Sequence, residues 1–198
     1  DAQWGQALNP VTSITVYEAM AYAAWAAPMY TAMVPDVGRC HPVMRPPTEV
    51  EWEAAQRAQG NGRPASHAGR WVHRTSGAPD PLAFNHAATG WQQPSPVGMF
   101  SRAYSPAGLA DGQGNVWEWC INSLPDGPTS YQHATGRVQA LAGWDAGALT
   151  SPRAVRGGSF HSLAWDCRPA NRSCANAEDG GSDIGLRLVQ VWPDQRTG

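Results

Sequence analysis

The side chains that could do chemistry in this chain are four cysteines, six histidines and a scatter of serines and carboxylates. Cys40, Cys120, Cys167 and Cys174 are too few for a disulfide scaffold and lack the short fixed spacing of a zinc site. His41, His67, His73, His86, His133 and His161 show no ligand spacing either, and read as loop or surface residues. His161, Ser162 and Asp166 supply the types of a nucleophilic triad. Those types are common, and their spacing does not place them together. Free cysteine is among the most buried residue types, so Cys167 is expected as a small apolar core residue, with Cys174 more exposed.

The elements that must position these residues are punctuated by strong local signals. Thr15-Val16-Tyr17-Glu18 has the form of a capping box, in which threonine and glutamate satisfy each other's orphan N–H groups. It predicts a helix to Ala27, closed by Pro28, with Val16, Met20, Ala23, Ala24 and Ala27 on one face. A second box, Thr48-Glu49-Val50-Glu51, predicts a helix to about Ala58 that stops at Gly60. Residues 60–110 and 124–152 read as long ordered loop. Strands are predicted at residues 115–120, 154–160 and 185–192. Two early helices and separated late strands give an α+β class with a small twisted antiparallel sheet.

The 198 residues carry 42% hydrophobic and only 15% charged side chains, with 21 glycines, 17 prolines and ten tryptophans. That balance suits one loop-rich domain, residues 1–198, pinned by aromatics. All 14 basic residues are arginine, the net charge is −2, and no basic stripe is present. A nucleic-acid surface is therefore not expected. No apolar run approaches the roughly 18 residues of a membrane span.

Four stretches carry a family resemblance. MRPPTEVEWE (44–53) resembles the RLPTEAEWE segment of the formylglycine-generating-enzyme (sulfatase-modifying factor) family. GLADGQGNVWEW (108–119) is similar to its GLxDMxGNVWEW, VRGGSF (155–160) to its VxRGGSW, and IGLRLV (184–189) to its IGFRLV. Order and spacing agree, and the four frame residues 10–191. The resemblance implies a C-type-lectin-type fold of that subtype. The residues are consistent with it. Trp117 and Trp119 alternate with Glu118 and should share one side of a strand. Arg156, Arg168, Arg172 and Arg187 are guanidinium forks suited to pinning loops.

The enzymes of the family use a copper-holding cysteine pair, and the resemblance places its first position at Ser162. A serine beside one cysteine cannot replace a thiolate pair for a soft metal. Cys167 with Cys174 would be the only replacement, and their spacing departs from the enzyme pattern. The related iron-dependent sulfoxide synthases use a HxxxHxE pattern that is absent here. No catalytic residue is therefore expected. Some family members bind calcium before the WEW strand, which carries over as the Asp111 and Glu118 side chains and the Gly114 and Val116 carbonyls.

One branch of the fold is matched block by block. The chain resembles the variable proteins of diversity-generating retroelements, whose C-terminal segment runs GGSW, six residues, CR, SANR, eleven residues, IGFRLV. Here GGSF, HSLAWD, CRPANR, SCANAEDGGSD and IGLRLV repeat those block lengths, with PANR for SANR. In that branch the insets are rewritten by adenine-specific mutagenesis. An AAC codon randomised at both adenines reaches His, Ser, Leu, Asp, Cys, Ala and Gly. Those types occupy His161, Ser162, Leu163, Asp166, Ser173, Cys174, Ala175, Gly181, Ser182 and Asp183. Trp165 is one adenine change from an AGG codon. The resemblance thus implies a binding protein whose variable segment, about 157–189, meets an unknown ligand, expected to be a protein. It requires no cofactor, with Ca²⁺ optional, and leaves the compartment between cell surface and cytoplasm. The alternatives are a cysteine oxidase of the family and an inactive structural member.

Overall fold

In the computed structural model the described residues are 8–33, 42–57, 83–100, 104–105, 107–124 and 150–192. Helix α1 is Val16–Met33 and α2 is Glu49–Arg57. The strands are β1 Val43–Arg45, β2 Trp117–Ser123, β3 Arg153–Arg156, β4 Ser173–Ala175, β5 Ile184–Gly185 and β6 Val189–Val191. One sheet has the order β4-β3-β2-β5; β1 and β6 form a separate antiparallel pair.

Both capping boxes form. The Thr15 N–H donates to Glu18 Oε2 at 2.8 Å, and the Glu18 N–H donates back to Thr15 Oγ1 at 3.2 Å. Thr48 and Glu51 repeat the same two distances, and Glu51 also takes a two-pronged bond from Arg45 at 2.7 and 2.8 Å. The predicted end of the first helix is corrected: α1 continues through Pro28 to Met33. A single proline removes one backbone bond, and the strong formers around it carry the helix past. The predicted face also rotates. Val16, Ala19, Ala23 and Ala26 are buried, whereas Ala24 is exposed. Apolar side chains surround this helix, so its period alone does not choose a side.

The four-stranded sheet has a core on each side. Alternation along β2 sends Trp119 toward α1, where it packs with Val16, Ala19 and Val155, and Trp117 packs against that cluster. Glu118 and Cys120 point the other way, toward Trp52 of α2, with Ala154 and Leu124. The sheet is mixed rather than purely antiparallel, since β2 runs parallel to β5. The strand predicted at 115–120 begins at Trp117, because Gly114 and Asn115 both take φ 68°. The strand predicted at 154–160 stops at Arg156, because Gly157 and Gly158 turn at φ 99° and 77°. The 185–192 segment divides between β5 and β6, which belong to different sheets. The expected stop at Gly60 lies outside the described residues.

A buried ion cluster joins these layers. Glu49 accepts from Arg156 Nη1 at 3.1 Å and from Arg172 Nε and Nη2 at 2.8 and 2.6 Å. All three side chains are at most 7% exposed. Arg156 also donates to Glu53 at 2.7 Å and to the Pro169 carbonyl. Removing Glu49 takes the buried carboxylate from both guanidiniums, a loss that Glu53 offsets only in part on Arg156. Glu49→Ala is expected to lose about 3–5 kcal/mol of unfolding free energy. Urea titration followed by tryptophan fluorescence measures it; a loss below ~1 kcal/mol would show that the cluster does not hold α2 to the sheet.

Candidate ligand-binding face

The first inset, residues 161–166, hangs from backbone bonds to fixed segments. The Phe160 N–H donates to the Asn115 carbonyl at 2.9 Å, and the Ala87 N–H donates to the Ser162 carbonyl at 3.0 Å. A short 3₁₀ turn, Ala164–Cys167, then tucks Ala164 and Cys167 against Ala83 and Phe84. A Cβ on Gly158 would lie 2.5 Å from the Cys167 sulfur, so this approach requires glycine. The same turn throws Leu163 and Trp165 outward, 68% and 55% exposed. Arg168 lies 3.5 Å over the Trp165 ring and donates to the Trp165 carbonyl at 2.7 Å. Asn171 Nδ2 donates to the Asp166 carbonyl at 2.8 Å. His161 is exposed, and its ring meets that of Phe160 at a 45° tilt with centroids 4.2 Å apart.

The second inset, residues 173–183, starts as edge strand β4 and crosses to β5. Cys174 packs into the Trp52 cluster and Ala175 against the α1 cluster, so these two side chains serve the cores. Ser173 and Gly181 are half-buried. The Ala177 carbonyl accepts from the Val16 N–H at 3.4 Å, and the Gly181 carbonyl from the Ser13 N–H at 3.1 Å. The inset thus wraps the start of α1. Ser182, Glu178 and Asp179 remain exposed.

The two insets meet on one fixed residue, Ser159, which is fully buried. Its N–H donates to Ser162 Oγ at 2.9 Å and its hydroxyl donates to Asp183 Oδ2 at 2.7 Å. Ser162 and Asp183 are therefore turned inward, and they set the pose of the insets. His161, Leu163, Trp165 and Ser182 present their side chains to solvent, with Asp166 half-buried. Sequence reasoning missed this junction, and it read residues 60–110 as ordered loop without placing the 83–100 part beside the first inset. The GGSF serine was visible, but nothing local showed that it reaches twenty-four residues onward.

Among the described residues, neither the His161, Ser162 and Asp166 types nor the Cys167 and Cys174 thiols are brought together. Ser162 Oγ meets Ser159, the His161 ring meets Phe160, and no hydrogen bond joins those two side chains to Asp166. Cys167 and Cys174 sit in different clusters, and both are free thiols. Burial, with Asp166 nearby, pushes the Cys167 thiol up to about 12, and burial raises Cys120 well above the usual thiol range. No group of three His, Cys, Asp or Glu side chains converges among the described residues. Cys40 lies outside them.

The segment expected to hold calcium does not fit that ion as arranged. Glu118 Oε2 accepts from Trp52 Nε1 at 2.6 Å and Arg187 Nε at 2.9 Å, and Oε1 accepts from Arg187 Nη2 at 2.7 Å. A guanidinium therefore occupies the carboxylate that the cation would need. Asp111 Oδ2 is engaged by the Gly98 N–H at 2.6 Å. Both carboxylates border a cavity of about 620 Å³ that Tyr22, Ile14, Leu186 and Leu188 also line.

The sulfatase-modifying factor enzyme 1-like domain matches residues 2–191. The chain belongs to that family. The formylglycine-generating enzyme of Mycobacterium tuberculosis (strain ATCC 25618 / H37Rv) is 31% identical over 192 residues, covering 91% of this chain and 57% of its own length. A hercynine oxygenase of Mycolicibacterium smegmatis (strain ATCC 700084 / mc(2)155) is 30% identical over 167 residues, covering 83% of this chain and 33% of its own length. The chain thus spans about half, or less, of these relatives. Among solved structures, PvdO from Pseudomonas aeruginosa aligns with a TM-score of 0.66 at 22% identity, covering 93% of this chain and 62% of that one. Treponema denticola variable protein 1 aligns with a TM-score of 0.61 at 19% identity, covering 98% and 72%. These likenesses show the α+β, C-type-lectin-type fold.

Two outcomes follow from the site chemistry. With a pKa near 12, only about one Cys167 in ten thousand is thiolate at pH 8. Iodoacetamide at pH 8 is expected to leave Cys167 and Cys120 unmodified in the folded chain, as read by peptide mass spectrometry. Rapid alkylation of Cys167 would refute the buried assignment. Millimolar Ca²⁺ or EDTA is expected to move Tm by less than ~1 °C, since binding stabilises only when the ion outcompetes Arg187. A calcium-dependent rise of several degrees would mean that Arg187 releases Glu118.

Proposed function

We propose that this chain is a ligand-binding protein whose C-terminal face is diversified by retroelement adenine mutagenesis. The observation that carries the reading is a division of labour. The fixed blocks hold the ion cluster, the glycine turns and the Arg168 and Asn171 bonds, while the insets between them expose Leu163, Trp165 and His161. Rigid scaffold with chemically varied, solvent-facing insets is how loops carry recognition. An exposed tryptophan among small polar neighbours suits a paratope, where one aromatic anchor supplies much of the energy. The block lengths shared with retroelement variable proteins support the same reading, and so does the fold shared with a Treponema denticola variable protein.

The family's enzymes support a second reading, a cysteine oxidase. Ser162 stands where that reading needs a thiolate, and it is hydrogen-bonded to Ser159 as a hydroxyl acceptor.

The first test is to sequence the DNA flanking the gene. A near-copy of the region encoding residues 157–189, differing only at template adenines, together with a reverse transcriptase, is the expected result. Their absence would return the insets to ordinary loops. Stability gives an independent check. Changing Leu163 and Ser182 together to alanine is expected to cost under ~1 kcal/mol, because exposed substitutions away from special features stay near ±0.5 kcal/mol each. Ser159→Ala alone is expected to cost about 1–3 kcal/mol, because it strips the Asp183 carboxylate of a buried donor. Urea titrations of both variants decide it; the reverse ranking would contradict the division between scaffold and insets.

A further inference from the structure

The cavity of about 620 Å³ is lined by residues of α1 and of the IGLRLV block, and none of its lining residues belongs to either inset. Its size suits a small organic molecule rather than a single ion. Ile14, Leu186 and Leu188 give it apolar walls, and Tyr22 and Tyr30 of α1 add two aromatic rings, each 45% exposed. Three carboxylates, Glu18, Asp111 and Glu118, share the lining with one guanidinium, Arg187. That guanidinium is committed to Glu118 by bonds of 2.9 and 2.7 Å. Glu18 is exposed and serves the Thr15 capping box. Asp111 is left without a paired cation. It is only 8% exposed, and its Oδ2 accepts from the Gly98 N–H at 2.6 Å. Among the described residues no hydrogen bond or ion pair engages its Oδ1. Burial raises the Asp111 pKa above the ordinary carboxylate value, against the opposing pull of the Gly98 N–H and the Arg187 charge. A carboxylate held this far from water ordinarily has a paired counter-charge.

We propose that this cavity is a binding site for a small organic cation, an ammonium group carried on an apolar or aromatic body. The ammonium donates to Asp111 Oδ1, a charge-assisted bond of the strong kind. The body lies against Ile14, Leu188 and the two tyrosines, whose ring faces attract cations. A calcium ion needs six to eight oxygens, and this cavity offers it one free carboxylate oxygen between apolar walls. An anion meets the excess of carboxylates. A neutral molecule of the same shape forgoes the charge-assisted bond. Since every lining residue lies outside the insets, the site is independent of the proposed diversification and is the same whatever residues the insets carry.

The test is titration of the full chain with three probes of one shape: 2-phenylethylammonium, neutral 2-phenylethanol and anionic phenylacetate. Ligand-observed NMR reads binding at millimolar concentration. The ammonium is expected to bind about tenfold or more tighter than the alcohol, and the anion is expected not to bind. Asp111→Asn keeps an oxygen for the Gly98 N–H, and asparagine tolerates the φ of 56° at this position. It is expected to bring the ammonium down to the affinity of the alcohol and to leave the alcohol unchanged. Tyr22→Ala should weaken the ammonium more than Tyr22→Phe does, since the phenylalanine ring retains the cation contact. Circular dichroism and the urea midpoint confirm that each variant is folded. Failure of the ammonium to bind, equal binding of ammonium and alcohol, or ammonium binding indifferent to Asp111→Asn would each overturn the proposal. None of these results bears on the reading of the insets.

Discussion

The structure depends on one buried carboxylate. Glu49 opens α2, and its side chain receives Arg156 from the central strand β3 and Arg172 from the block between the insets. A charge taken out of water is tolerable only when paired and fully hydrogen-bonded, so three distant chain segments are held in one geometry. The second buried carboxylate, Glu118, does the same for Trp52 and Arg187, tying α2 and the IGLR block to β2. Apart from the seven-residue β2, the strands have two to four residues and offer few ladder bonds. These charge-assisted forks supply the orientation that longer strands would otherwise provide.

That arrangement separates the parts that must be constant from the parts that need not be. Every guanidinium in the clusters comes from a block outside the insets, and each inset is anchored in part through backbone atoms. Ser162 is held through its carbonyl as well as its hydroxyl, Gly181 through its carbonyl, and Asp166 through its carbonyl by Asn171. Backbone anchoring is indifferent to side-chain identity. It lets a loop keep its course while the side chains upon it change.

Much of this was legible in the sequence, for stated reasons. Capping boxes are local, and both formed at the residues that spelled them. The alternation of Trp117, Glu118 and Trp119 fixed the two faces of β2. The alanine-rich α1 hid its buried side because tryptophan, tyrosine and methionine surround it, and Pro28 misread as a stop. The parallel β2–β5 pairing and the short strands β1 and β4 depend on contacts far apart in sequence, which no local pattern encodes. The site was legible as a segment but not as a surface. Codon logic cannot tell Leu163, which faces solvent, from Cys174, which faces Trp52.

That last distinction limits what the proposed diversification could do on this scaffold. A position such as 174 or 175 borders a core, where adding or removing volume carries a packing cost. Asp183 and Ser162 share the Ser159 junction, so changes there alter how one inset lies against the other. Positions 161, 163 and 165 are free of both constraints. Under that proposal the usable repertoire would be layered: the outermost residues would choose the contacts, the Ser159 partners the pose in which they are offered, and the core-facing residues chiefly whether the strand holds. Ser159 bonds to both insets, so a side-chain change at 162 or 183 bears on the pose of each.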